Sequence, residues 1–256
     1  MATRAFSTLY PRISPNVPGC PQPVMLQAVR DAAIFVCEKT LLWRYTQPTY
    51  NLLPGVHEYA FDKPSTADVH VVFDAMLNDS PLQRLTLEQA LEAYPAWADI
   101  YSGEDPSIIW SLTPASLFGS DEYNEALFNP GSAYELPPAV VAEGSEPRAI
   151  CQLTPDKYIV LPLPDDKKTY TMRMFYALKP RRDATGMEDA VLSELEDAIV
   201  HYALQYLLVM PNVAWGDREL AQYHGKQALF KTTERRARAN LANIRGVITA
   251  RAPRFA

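Results

Sequence analysis

The side chains able to do chemistry are few and scattered: four histidines (His57, His70, His201, His224), three cysteines (Cys20, Cys37, Cys151) and some adjacent acids. His201 follows Asp197 by four residues, so on a helix the two share one face and can touch. A metal ion there needs a further ligand, and the nearest other histidine, His224, lies on the next helix. An antiparallel helix pair could bring the two together, but a surface Asp–His pair is the simpler reading. His57 falls in a turn and His70 on the outward face of a strand. Asp121–Glu122 and Asp165–Asp166 are neighbours in loops, which suits solvation rather than paired acid and base work. Cys37 lies in a helix and reads as a small buried hydrophobe, not a nucleophile. With no CxxC pair, the cysteines offer neither a disulfide framework nor a thiolate zinc site, and they fit a reducing compartment. GxGxxG, P-loop, HExxH and GxSxG are all missing, so four large enzyme classes lose their usual signatures. The expectation is a protein without catalytic residues, cofactor or metal.

Charge is distributed more tellingly than its sum. The 256 residues carry a net charge of −6. From Tyr223 onward there are eight Lys/Arg against one acid, Glu234, while the rest stands at −13. Between Arg84 and Arg148 lie eleven acids and no Lys or Arg. An acidic body with a basic tail points to a polyanion or an acidic protein surface as partner, or to a solvated helix end. The basic ERRARANLANIR stretch has few aromatics, so it can touch phosphates without reading bases. A pI near 5.3 argues against a dedicated DNA-binding protein. No apolar run reaches the roughly 18 residues of a membrane span, and no signal peptide opens the chain, so a soluble, cytoplasmic protein is expected.

The elements that must position these residues can be read from periodicity. Five prolines in the first 23 residues predict an extended arm over 1–22. Met25, Val29, Ala32, Val36 and Trp43 form one face of a helix, with Ile34, Leu41 and Leu42 straying from it. Asp68–Asn78 alternates with Val69, Val71, Phe73, Ala75 and Leu77 on one side, as a half-buried strand does. Lys157–Leu163 and Thr169–Leu178 read as a hairpin, with Tyr170, Met172, Met174, Tyr176 and Leu178 on one face. Thr86–Tyr94 is a short helix capped by Thr86. Met187–Met210 is helical, with Val191, Leu195, Tyr202, Tyr206 and Val209 on one face and an all-round apolar second half at Tyr202–Met210. A last helix, Trp215–Arg245, repeats Tyr223, Phe230, Ala237 and Ile244 every seven residues, with Leu241 beside them.

The predicted fold class is therefore α+β. It consists of a bundle of about three long helices, one N-terminal and two C-terminal, with an inserted antiparallel β domain and an extended basic C-terminal tail. In residue numbers, the bundle takes 23–44 and 185–245 and the β-rich insertion 45–180. Residues 99–146 form an acidic irregular insertion and 246–256 the tail.

Three segments carry a resemblance to a known family. They are FSTLYPRISPNVPGCPQPVMLQAVRDAAIFVCEKTLLWRY, the run PDKYIVLPLPDDKKTYTMRMFYALKP, and LEDAIVHYALQYLLVMPNVAWGDRELAQYHGKQALFKTTERRARANL. Together they resemble tailed-bacteriophage head-to-tail adaptor (connector) proteins, which dock beneath the portal. The likeness covers roughly Phe6–Leu82 and Pro147–Phe255; the acidic stretch departs from it by its length. The resemblance implies a structural virion protein at the head–tail interface, made in the host cytoplasm. Such adaptors form a homo-oligomeric ring, typically a dodecamer, which extends the DNA channel and gives tail or nozzle proteins a landing surface. Genomic DNA passes without sequence-specific binding, and no membrane is involved. The tail would then reach the portal protein, with Arg245, Arg251, Arg254 and Phe255 as its anchors. Ile34, Leu41, Leu42, Leu204, Leu207 and Leu208 would be buried between subunits. A stopper or tail-terminator is the nearest alternative; an enzyme using Asp197, His201 and His224, or a DNA-binding regulator, are others.

Overall fold

Apolar spacing, caps and prolines place the elements of the computed structural model, in which residues 2–56, 58–94 and 146–242 are described, with side chains to Arg238. The helices among them are α1 (Tyr10–Ile13), α2 (Gln22–Thr40), α3 (Leu87–Ala93), α4 (Asp189–Val209) and α5 (Arg218–Ala242). The strands are β1 (Thr3–Ala5), β2 (Arg44–Thr46), β3 (Tyr50–Asn51), β4 (Glu58–Ala60), β5 (Ala67–Leu77) and β6 (Ser80–Pro81). They continue with β7 (Gln83–Leu85), β8 (Ala149–Gln152), β9 (Lys157–Leu161), β10 (Thr171–Pro180) and β11 (Gly186–Glu188). The chain divides into two compact units, one of Met1–Tyr45, Lys63–Val71 and Tyr176–Ala256, the other of Thr46–Asp62 and Val72–Phe175.

In the first unit α4 packs against both α2 and α5. The amino-terminal segment ties down on α4: the Arg12 guanidinium donates to Glu196 and to Asp197, each at 2.8 Å. This holds the Asp197 carboxyl below its usual range, the hydrogen bond from Arg12 being the main cause. β1 pairs antiparallel with β11, Arg4 opposite Met187. A Cβ on Gly186 would lie 2.4 Å from the Arg4 carbonyl oxygen, so only glycine allows these strands so close. Trp43 is fully buried, donates from Nε1 to Glu188 at 3.0 Å, and its carbonyl accepts from the Leu178 N–H at 2.7 Å. Asp217 caps α5, its carboxylate accepting from the Glu219 and Leu220 N–H groups.

The second unit holds a four-stranded sheet in the order β4-β9-β8-β7, antiparallel except that β7 and β8 run parallel. Helix α3 covers it through Ala90, packed with Ala149, Cys151, Ile159 and Leu161. Burial pushes the Cys151 thiol up to about 11, so it stays protonated. Thr86 and Gln89 form a reciprocal capping box at the start of α3. In the same unit β3 pairs with the first part of β10, and β6 with the end of β5.

The expected fold class is overturned. Five helices and three mostly antiparallel sheets make up the described residues, and the protein is not a bundle of about three long helices. The physical reason is that strands are not confined to one insertion: β1, β11 and parts of β5 and β10 belong to the unit that holds the long helices. The described part of the expected extended arm, residues 2–22, is not extended either. Tyr10–Ile13 is α-helical between two 3-10 turns, Phe6–Leu9 and Ser14–Asn16, with proline near the start of the second and third of these three segments, where its missing N–H costs nothing. Phe6, Leu9, Ile13 and Val17 are buried, and that burial folds the segment. The expected hairpin also fails. β9 pairs with β8 and β4, whereas β10 belongs to another sheet, and Pro162 and Pro164 between them have no N–H to extend a ladder. In β5 the alternation slips, with Ala67, Val69, Val72, Ala75 and Leu77 buried but Val71 and Phe73 only half so.

Candidate functional site

Helix α5 buries its small and polar side and turns its large apolar side outward. Ala221, His224, Ala228 and Thr232, at three- and four-residue steps, are buried. Tyr223 and Phe230, seven residues apart, are 53% and 63% exposed, and Ala237, another seven on, is exposed too. The small inward side lets α5 lie close to α4. A Cβ on Gly225 would come within 2.9 Å of the Gln205 amide. The sequence placed Tyr223, Phe230 and Ala237 on one line but not its direction, since an apolar heptad is normally a core stripe; Leu241 and Ile244 lie beyond the described side chains.

Helix α4 shows a second uncovered face. Leu192, Leu195, Ile199, Leu204, Leu207 and Leu208 are buried within the chain. Leu204, Leu207 and Leu208 therefore cannot face a neighbouring subunit, contrary to expectation. The large apolar residues left outside are Tyr206, 51% exposed, and Val209, 58% exposed. They border an open groove of about 590 Å³ between α2 and the end of α4. Ala28 and Ala32 line it from α2 as small buried side chains, with Phe35, Tyr202, Tyr206 and Val209 as larger ones. The Phe35 and Tyr202 rings meet edge to face at 4.8 Å. Asp31, accepting from Gln27, is the carboxylate of the lining.

The other proposed interface residues behave differently. Ile34, Leu41 and Leu42 are half-buried. Leu41 and Leu42 strayed from the helical pattern because α2 has already ended: Leu41 adopts a left-handed conformation, φ 54°, with its N–H bonded to the Cys37 carbonyl. Arg245, Arg251, Arg254 and Phe255 lie outside the described residues, as do His57, Asp121–Glu122 and 99–145 of the acidic stretch.

The histidines pair in a way the spacing did not favour. Asp197 is taken by Arg12, and His201 Nδ1 instead lies 2.8 Å from His224 Nδ1, one donating and the other accepting. His224 is buried, and its Nε2 finds no partner among the described residues. Burial first, and for His201 also the neighbouring His224, hold both imidazoles below their ordinary pKa. Among the described residues no three potential ligands group to hold a metal ion, and no helix is long and apolar enough to cross a membrane.

The pair has a consequence for stability. As pH falls through about 6.5, the unfolded chain takes up protons at His201 and His224 while the folded chain resists. Stability is therefore present above that pH and lost on acidification. His70, lowered chiefly by burial, adds to the same trend. The thermal midpoint should drop between pH 7.5 and pH 5.5, and drop less in His224→Gln; an equal drop in both proteins would show that the pair does not cause it.

No protein family and no curated protein sequence matches this chain. What the geometry offers is two uncovered apolar faces on neighbouring helices.

Proposed function

We propose that the protein is a structural subunit of a tailed-phage virion, a head–tail adaptor that forms a ring beneath the portal and extends the DNA channel. The observation that carries this reading is the outward apolar seam of α5. A soluble monomer rarely spends large aromatic residues on solvent along one line of a long helix, and such a stripe marks a protein–protein contact. The uncovered groove supplies a second, different face, and a subunit with two distinct complementary faces can close a ring by head-to-tail contacts. The three segments that resemble adaptors supply the setting, with portal above, tail or nozzle proteins below, and genomic DNA passing through. The acidic body would let DNA slide past without sticking. No cofactor or metal is needed for such a role.

The basic end of the chain, residues 246–256 with Arg251, Arg254 and Phe255, is the proposed portal anchor. Deleting 246–256 should leave the circular dichroism spectrum and the unfolding midpoint of the rest unchanged and abolish binding to the portal ring. Loss of folding on deletion, or undiminished portal binding, would contradict the anchor.

A further inference from the structure

We infer that the α5 seam of one copy seats in the α2–α4 groove of the next, so that a second copy of this chain is the occupant of the groove. The inference builds on the ring proposed above and names its contact.

Three features argue for this occupant. The groove runs between two helices, with two alanines among larger aromatic and aliphatic residues, a shape that takes bulky side chains from a third helix. The seam is such a helix, with Tyr223 and Phe230 two turns apart and Leu229 also exposed beside them. Charge agrees as well. The groove carries the Asp31 carboxylate, while exposed Lys226 lies on α5 between Tyr223 and Phe230. The outer side of α5 continues basic at Arg236, while Arg238 beyond it is paired with Glu234 at 2.7 Å. Because groove and seam are different surfaces of one chain, the contact is heterologous and leaves each bound copy with one free face.

The experiment uses two full-length variants. Phe230→Glu spoils the seam and keeps the groove; Tyr206→Glu spoils the groove and keeps the seam. Both positions are exposed, so both variants should match the wild-type circular dichroism spectrum. Tyr223→Lys and Val209→Lys form a second pair should either fail to fold. Sedimentation velocity is run on each protein alone and on the mixture, up to the highest soluble concentration. The wild type should associate with concentration, and each variant alone should be weakened about 30-fold or more, as for loss of a central aromatic anchor. The mixture should form a one-to-one heterodimer, since one intact seam then meets one intact groove.

Self-association of Tyr206→Glu alone would mean that seams pair with seams and would overturn the inference. Wild-type association in both variants would also overturn it, while leaving a ring built on other contacts standing. A wild type that stays monomeric would overturn it too; portal binding by that same monomer would show that the adaptor reading survives on its own.

Discussion

Trp43→Ala is expected to lower the unfolding free energy by about 3–5 kcal/mol, the usual cost of deleting a large buried aromatic side chain. Trp43 is 1% exposed and ties the end of α2 to β11 through Glu188 and to β10 through the Leu178 N–H. The alanine variant loses the ring's apolar burial and leaves the Glu188 carboxylate without its indole donor. Trp43→Phe separates these effects. It keeps most of the burial and should cost about 1 kcal/mol for the hydrogen bond, plus a smaller packing loss. Urea unfolding with an unchanged slope would read both values. A cost below about 1 kcal/mol for the alanine variant would place Trp43 outside the core.

The second large effect separates two residues one position apart on α4. Leu207 is fully buried and Tyr206 half open to solvent. Leu207→Asp introduces an unpaired carboxyl among apolar side chains and should cost several kcal/mol, enough to unfold many domains. Tyr206→Asp should change the stability of the isolated chain by about 0.5 kcal/mol or less. Its effect belongs to association. Equal destabilisation by the two would show that the Tyr206 face is covered inside the chain, and the groove would lose its meaning.

This contrast also shows what the sequence could and could not convey. Period alone placed the helices at Gln22–Thr40, Asp189–Val209 and Arg218–Ala242 within a few residues, because their spacing is regular. The buried row Tyr170, Met172, Met174, Tyr176 and Leu178, which runs into β10, was equally legible, since apolar residues at every second position leave little freedom of register. Direction was harder. Tyr202–Met210 is apolar around nearly its whole circumference, so composition does not say which side meets the rest of the chain. On α5 the small residues Ala221 and Ala228 turned inward and the aromatics outward, a choice made by close helix packing at Gly225 and invisible to a hydrophobicity pattern. The His201–His224 contact depends on the register of two antiparallel helices, which no local spacing encodes. The proline-rich start misled for a related reason. Pro11 and Pro15 occupy positions near the beginnings of helical turns, where proline is tolerated.

The proposed adaptor role rests on assembly with the portal. The decisive measurement is the native mass of the full-length protein alone, of the cognate portal ring alone, and of the two mixed. A head–tail adaptor should give a complex whose added mass equals one copy of this chain per portal subunit. A portal ring that keeps its own mass in the presence of excess protein would contradict it.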